Sequence, residues 1–168
     1  RAEVVAERCI ACGNCVRVCS QHAQVVQDTT EEVLALLEGE APVAALVAPS
    51  FSASFPDMNA RELVGLVRAL GFAYVNEVAF GAELVADRYR DLLSAPNGKR
   101  WITTSCPAVV EYVRRYHPAL TESLAPIVSP MVAAARSLRA IHGPKLRIVY
   151  FGPCIARKVE AGDAGLKG

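Results

Sequence analysis

The chain has 168 residues, 52% of them hydrophobic and 21% charged, which is enough apolar side chain for a packed core and excludes a disordered tail. A net charge of +1, with basic residues scattered along the sequence, leaves no footprint for nucleic acid, and the pair Arg114-Arg115 reads as a solvated helix face. The longest apolar runs, Val43 to Val47 and Leu146 to Phe151, are far too short to span a bilayer. No signal-peptide pattern is present, and a start at Arg1-Ala2-Glu3 without Met reads as a piece of a longer protein.

In chain order, a short apolar stretch from Glu3 to Ala6 precedes four closely spaced cysteines, and Ala23, Val25 and Val26 follow them. These flanks read as two short strands around a metal-binding loop. Thr29-Thr30-Glu31-Glu32 opens a helix, with a hydroxyl as its cap and acids in its first turn, and Gly39 stops it. The rhythm then changes. Val43 to Ala48 is a continuous apolar run of the kind found in a buried parallel strand. Asn59 caps a helix that presents Leu63, Val64, Val67 and Leu70 on one face and ends at Gly71. Tyr74 to Phe80 reads as a second strand, and Gly81 leads into a helix through Leu93. Trp101 to Thr104 reads as a third strand, Pro107 and Pro130 begin helices, and Leu146 to Phe151 is a fourth strand. The expected fold is α/β: a small ferredoxin-like module over residues 1–39, then a mainly parallel four-stranded sheet flanked by helices over residues 42–168.

Six cysteines in a secreted protein would suggest disulfides. Four of these fall within eleven residues, however, so the chain is placed in a reducing cytoplasm. Cys9, Cys12, Cys15 and Cys19 have C-x2-C-x2-C-x3-C spacing, the pattern that binds a 4Fe–4S cubane. The two x2 spacings curl three thiolates around one body, and Gly13 lets the backbone turn close to it. Zinc and a structural thiol cluster are the alternatives. Ser20 follows Cys19 where Pro is usual, so Cys19 either closes this cluster or serves a second one upstream. His22, His117 and His142 lie near element ends and read as surface groups.

Cys106 and Cys154 each follow an expected strand, sit beside a proline and precede a helix start. The carboxyl end of a strand is where open α/β sheets hold ligands, although a buried inert cysteine is the common alternative. Thr104-Ser105-Cys106-Pro107 and Pro153-Cys154-Ile155-Ala156-Arg157-Lys158-Val159-Glu160 together resemble two active-site motifs of the FeFe hydrogenase catalytic subunit, Thr-Ser-Cys-Cys-Pro and Pro-Cys-x-x-Lys-Lys-x-Glu. Ala48-Pro49-Ser50, Phe80-Gly81-Ala82-Glu83, Tyr116-His117-Pro118 and Ser129-Pro130 fit the same order, so the resemblance covers nearly the whole chain.

That resemblance implies that Cys106 and Cys154 are two of four ligands of a second cubane carrying a di-iron subsite (the H-cluster). It also implies that Ala48, Pro49, Ser50, Ser129 and Pro130 line the di-iron pocket. Arg157 stands where the family has a lysine bonding a cyanide, and Ser105 where the family has a proton-carrying cysteine; a hydroxyl is the weaker acid. Arg88 and Tyr89 stand about where relay glutamates are expected. The motif supplying the other two cubane cysteines does not occur in these 168 residues, so the H-cluster is expected only if those ligands are supplied, and activity is not expected of this piece alone.

The departures are similar to those of sensory hydrogenase-like proteins. The expected function is therefore a hydrogen-sensing or slowly hydrogen-converting domain, with PAS or kinase/phosphatase domains elsewhere in the parent chain. A ferredoxin-like donor or acceptor, or an upstream cluster, would be its redox partner. The alternatives are a ferredoxin-type electron-transfer module without a di-iron site and an iron–sulfur signalling scaffold.

Overall fold

In the computed structural model, residues 3–94 and 98–162 are described. Their elements run α1 (Asn14–Val18), α2 (Thr30–Glu38), β1 (Val43–Val47), α3 (Phe51–Ser54), α4 (Ala60–Ala69), β2 (Tyr74–Glu77), α5 (Val78–Ser94), α6 (Pro107–Tyr116), a 3-10 turn (Pro118–Ser123), α7 (Pro130–His142), β3 (Arg147–Phe151) and α8 (Ala156–Gly162). They form two compact units. One takes its described residues from Arg1–Val26, Arg88–Ser129 and Cys154–Gly168, and the other from Gln27–Asp87 and Pro130–Pro153.

The second unit is built on β1. All five of its residues are buried, and it pairs in parallel with β2 on one side and β3 on the other. Because successive side chains of a strand point to opposite faces, the run serves two cores at once. Val43, Ala45 and Val47 pack with Leu63 and Val67 of α4 and with Phe72. Ala44 and Leu46 pack with Val78, Leu146, and Ala134 and Leu138 of α7. A strand covered on both faces needs apolar residues at every position, which is why it reads as an unbroken run. Local signals set the helix ends. Asn59 accepts hydrogen bonds from the Arg61 and Glu62 backbone N–H groups, while the Glu62 carboxylate accepts from the Asn59 N–H, a complete capping box.

Among the described residues the sheet has three strands, where the sequence suggested four. Trp101 to Thr104 belongs to the first unit and makes a single parallel bridge, Ile102 to Leu124. The Thr104 N–H, which a ladder would need, is taken at 2.9 Å by the Tyr89 hydroxyl. The expected strands around the first cysteines are also absent from the described residues. On the upstream side, the Arg8 and Cys9 N–H groups bond back to the Val5 carbonyl and so close a turn. At α2, Thr29 makes no side-chain cap; the Asp28 carboxylate accepts from the Thr30 N–H and hydroxyl instead.

Helix α5 begins at Val78, inside the stretch that reads as strand, and runs through Gly81 without a break. Gly81 is required by packing rather than by a turn: a Cβ there would fall on the Pro130 carbonyl oxygen and crowd Ala134. Gly81→Ala should therefore lower stability by about 1–3 kcal/mol. Gly65→Ala, at an α4 position with open space around it, should raise it by about 0.5–1 kcal/mol. Urea unfolding of the two variants beside the wild type reads both signs.

Candidate functional site

The four-cysteine run lies in the first unit, and local backbone geometry prepares it for thiolates. Cys9 is followed by Ala11 in the left-handed region (φ 57°), which turns the Ala11 N–H onto the Cys9 sulfur at 3.3 Å. Cys19 is followed by His22, also left-handed (φ 49°), and the Ala23 N–H reaches the Cys19 sulfur at 3.4 Å. A non-glycine residue at positive φ is uncommon; here two of them serve the outermost cysteines in the same way. Backbone N–H groups, first that of Ala23 and then that of Gln21, draw the Cys19 thiol below its ordinary pKa, against a smaller opposing effect of burial. Gly13, at φ 75°, caps α1, which carries Cys15 and hands over to Cys19 at its end.

The donor set suits an iron–sulfur cluster. All four cysteines are free, Cys12 and Cys15 are exposed, and N–H donors already point at the sulfurs of Cys9 and Cys19, where a cluster's negative charge collects. Among the described residues no three His, Cys, Asp or Glu side chains are gathered closely enough to hold a single metal ion. A cubane asks for a wider spacing than one ion, since its ligands sit at the corners of a four-iron body.

Cys106 and Cys154 lie in the same unit, both free and exposed. Cys106 is the N-cap residue of α6, with Pro107 supplying a first position that needs no N–H. Arg157, in α8, joins the two segments. Its guanidinium donates to the Ser105 carbonyl at 2.8 Å and to the Glu160 carboxylate. The side chains of this ion pair are only 14% and 11% exposed, so the link is shielded from water. The arginine, expected to reach a ligand on a di-iron unit, has both arms engaged within the protein.

Tyr89, at one of the positions where relay glutamates are expected, fixes the backbone ahead of Cys106. Its hydroxyl accepts from the Thr104 N–H and lies 3.2 Å from the Thr104 hydroxyl, which also bonds the carbonyls of Ala125 and Ile127. Arg88 makes an exposed pair with Asp91. Ser129 is 2% exposed and lies in the first unit, beside a cavity of about 640 Å³ between α6 and α8.

Ala48, Pro49, Ser50 and Pro130 lie in the second unit. Ala48 to Ser50 follow the carboxyl end of β1, the strand at which the order β2-β1-β3 reverses, and the Ala48 N–H bonds the Phe151 carbonyl at 2.8 Å. Such a reversal point is where open sheets leave a crevice. A cavity of about 280 Å³ lies there, lined in part by Ala48, Ser50, Phe51, Phe151 and Pro153.

The N-terminal run also has partners far along the chain. Ile155, next to Cys154, packs against Gly13. Arg115 of α6 donates to the Ala6 carbonyl and pairs with Glu111, and the Tyr116 hydroxyl donates to the Arg8 carbonyl at 2.7 Å. Arg115 is thus a tether, not a purely solvated side chain. No sequence signal marks it, because its partner is 109 residues away.

Tyr89→Phe removes the only acceptor described for the Thr104 N–H. It should cost about 1 kcal/mol in urea unfolding and make the Cys106 thiol react faster with a maleimide.

The description "4Fe-4S binding domain" matches residues 2–24, and "Iron only hydrogenase large subunit, C-terminal domain" matches residues 41–168. The cytosolic Fe-S cluster assembly factor NAR1 of Yarrowia lipolytica is 24% identical over 95% of this chain and 37% of its own length. A solved FeFe hydrogenase chain, from work on oxygen inactivation through degradation of the H cluster 2Fe subcluster, superposes with a TM-score of 0.62 at 21% identity. That match covers 80% of this chain and 41% of the other, so the chain spans about two fifths of the length of each relative. No helix among the described residues is long and apolar enough to cross a membrane. The chain is an iron–sulfur protein with a 4Fe–4S binding module, and it belongs to the iron-only hydrogenase large subunit family.

Proposed function

We propose that the chain carries an electron-transfer cluster and half of the thiolate ligands of a hydrogenase-like centre, within a cytoplasmic hydrogen-sensing or slowly hydrogen-converting protein. In this reading Cys9, Cys12, Cys15 and Cys19 hold the 4Fe–4S cluster, which supplies one-electron chemistry when bound. Cys106 and Cys154 give two thiolates to a second cubane. Ala48, Pro49, Ser50, Ser129 and Pro130 line the space for its di-iron subsite. The sequence holds six cysteines, so the remaining two thiolates come from outside these 168 residues.

The carrying observation is the Arg157 link from the Cys154 segment to the Ser105 carbonyl, next to Cys106. It links, through a shielded guanidinium, the backbone beside Cys106 to the segment that carries Cys154, 48 positions further along the sequence. Ile155 against Gly13 brings the N-terminal run to the same segment, the arrangement an electron relay needs. Ser105, with a hydroxyl in place of a thiol, donates a proton poorly near neutral pH and so favours sensing over rapid turnover. A ferredoxin-like protein or an upstream cluster is the fitting redox partner, and PAS or kinase/phosphatase domains are the fitting signalling outputs.

A second reading, an iron–sulfur scaffold without a di-iron site, is favoured by the engagement of both arms of Arg157. The relative named as an Fe-S cluster assembly factor fits it as well.

Anaerobic reconstitution of the full chain should give about four iron and four sulfide per chain, and Cys12→Ser should lose most of both. A chain that retains no iron overturns the cluster assignment. In the full-length protein produced with hydrogenase maturation enzymes, infrared bands of bound CO and cyanide are expected. Their absence from a protein whose N-terminal cluster is loaded rejects the hydrogen-sensing reading and leaves the scaffold.

A further inference from the structure

We infer that Tyr116 and Arg115, at the end of α6, are positioning residues for the N-terminal cluster: they clamp the turn that presents Cys9. The inference rests on the reading that Cys9 is a cluster ligand. The turn Val5–Cys9 is closed by hydrogen bonds from the Arg8 and Cys9 N–H groups to the Val5 carbonyl, with the Cys9 N–H also reaching the Ala6 carbonyl. Its outward carbonyls are held by α6: Arg115 donates to Ala6, and the Tyr116 hydroxyl donates to Arg8 at 2.7 Å.

Arg115 is itself steadied by Glu111 at 2.8 Å, one turn earlier on the same helix. The Tyr116 ring stacks on Tyr112, with ring centroids 5.5 Å apart. The two donors therefore come from side chains with restricted rotamers on a regular helix, which is how a loop can be held to a fixed geometry. Cys9 is the first of four sulfurs that must meet the corners of one body. The residue before it is fixed by a phenol, and the turn behind it by a guanidinium. Freeing the turn would let water reach the cluster, and solvent exposure is one of the factors that sets a cluster's potential.

Tyr112 supplies an internal control. Its hydroxyl belongs to the same stacked pair but lies 3.1 Å from His117 Nε2 and not on the cysteine turn. The test compares the full chain, reconstituted with iron and sulfide, as wild type, Tyr116→Phe, Tyr112→Phe and Arg115→Gln. Tyr116→Phe should still load about four iron. It should lose them several-fold faster to a ferrous chelator, and its cluster potential should move to a less negative value as water reaches the more highly charged reduced form. Arg115→Gln should release iron faster as well, while Tyr112→Phe should match the wild type in both readouts. Tyr116→Phe that is indistinguishable from wild type overturns the inference, as does an equal shift in both tyrosine variants. A wild-type chain that binds no iron defeats the cluster reading itself and the clamp with it.

Discussion

Strand β1 is buried on both faces, and most of the second unit follows from that constraint. Five residues with almost no contact with water must each find an apolar partner, so one helix layer is required above the sheet and another below it. Each fully buried Val or Leu contributes about 1.5–3 kcal/mol, and the small Ala44 and Ala45 let the flanking helices come close. The strand can satisfy both layers only if it is central, with β2 and β3 on opposite sides. A central strand with neighbours reached by connections in opposite directions creates a crevice at its carboxyl end. The residues of β1 chosen for burial thus also determine where Ala48 to Ser50 emerge.

In the first unit, polar links reach the cysteine segments from distant parts of the chain. Its cysteine segments are held by hydrogen bonds to backbone carbonyls: Arg157 to Ser105, Tyr116 to Arg8 and Arg115 to Ala6. Carbonyl acceptors place no demand on the side chain at the accepting position, so the sequences around the cysteines can vary while the frame persists. The conformations that turn N–H groups toward sulfur sit at Ala11 and His22, where a left-handed backbone carries a local cost. That cost is acceptable at a site whose purpose is to gather negative charge.

Much of this was legible in sequence because it is local. Asn59 and Glu62 announce a capping box, Pro107 and Pro130 announce helix starts, and the run from Val43 to Val47 announces a doubly covered strand. The spacing of Cys9, Cys12, Cys15 and Cys19 indicates a cluster in the same way. What failed was set by partners distant in sequence. Trp101 to Thr104 has strand composition, yet Tyr89 takes the N–H a ladder would have used. Gly81 reads as the lead from a strand into a helix, yet the helix already begins at Val78 and runs through it, and its missing side chain makes room for Pro130. Arg115 and Tyr116 carry no sign of the turn they hold, since hydrogen bonds to carbonyls more than a hundred residues away leave no periodicity to read.

Four of the six thiols, Cys12, Cys15, Cys106 and Cys154, stand at the surface. For a chain without its metal this is a chemical liability. An exposed thiol is open to sulfenic acid formation, mixed disulfides and cross-linking between molecules, and the backbone donors at Cys19 raise the fraction of its sulfur present as thiolate, the form that oxidants attack. Iron bound in the 4Fe–4S module would occupy the sulfur lone pairs of Cys12 and Cys15 and close those routes there. Exposure of this kind makes cluster insertion and protection from oxidation one event for Cys12 and Cys15.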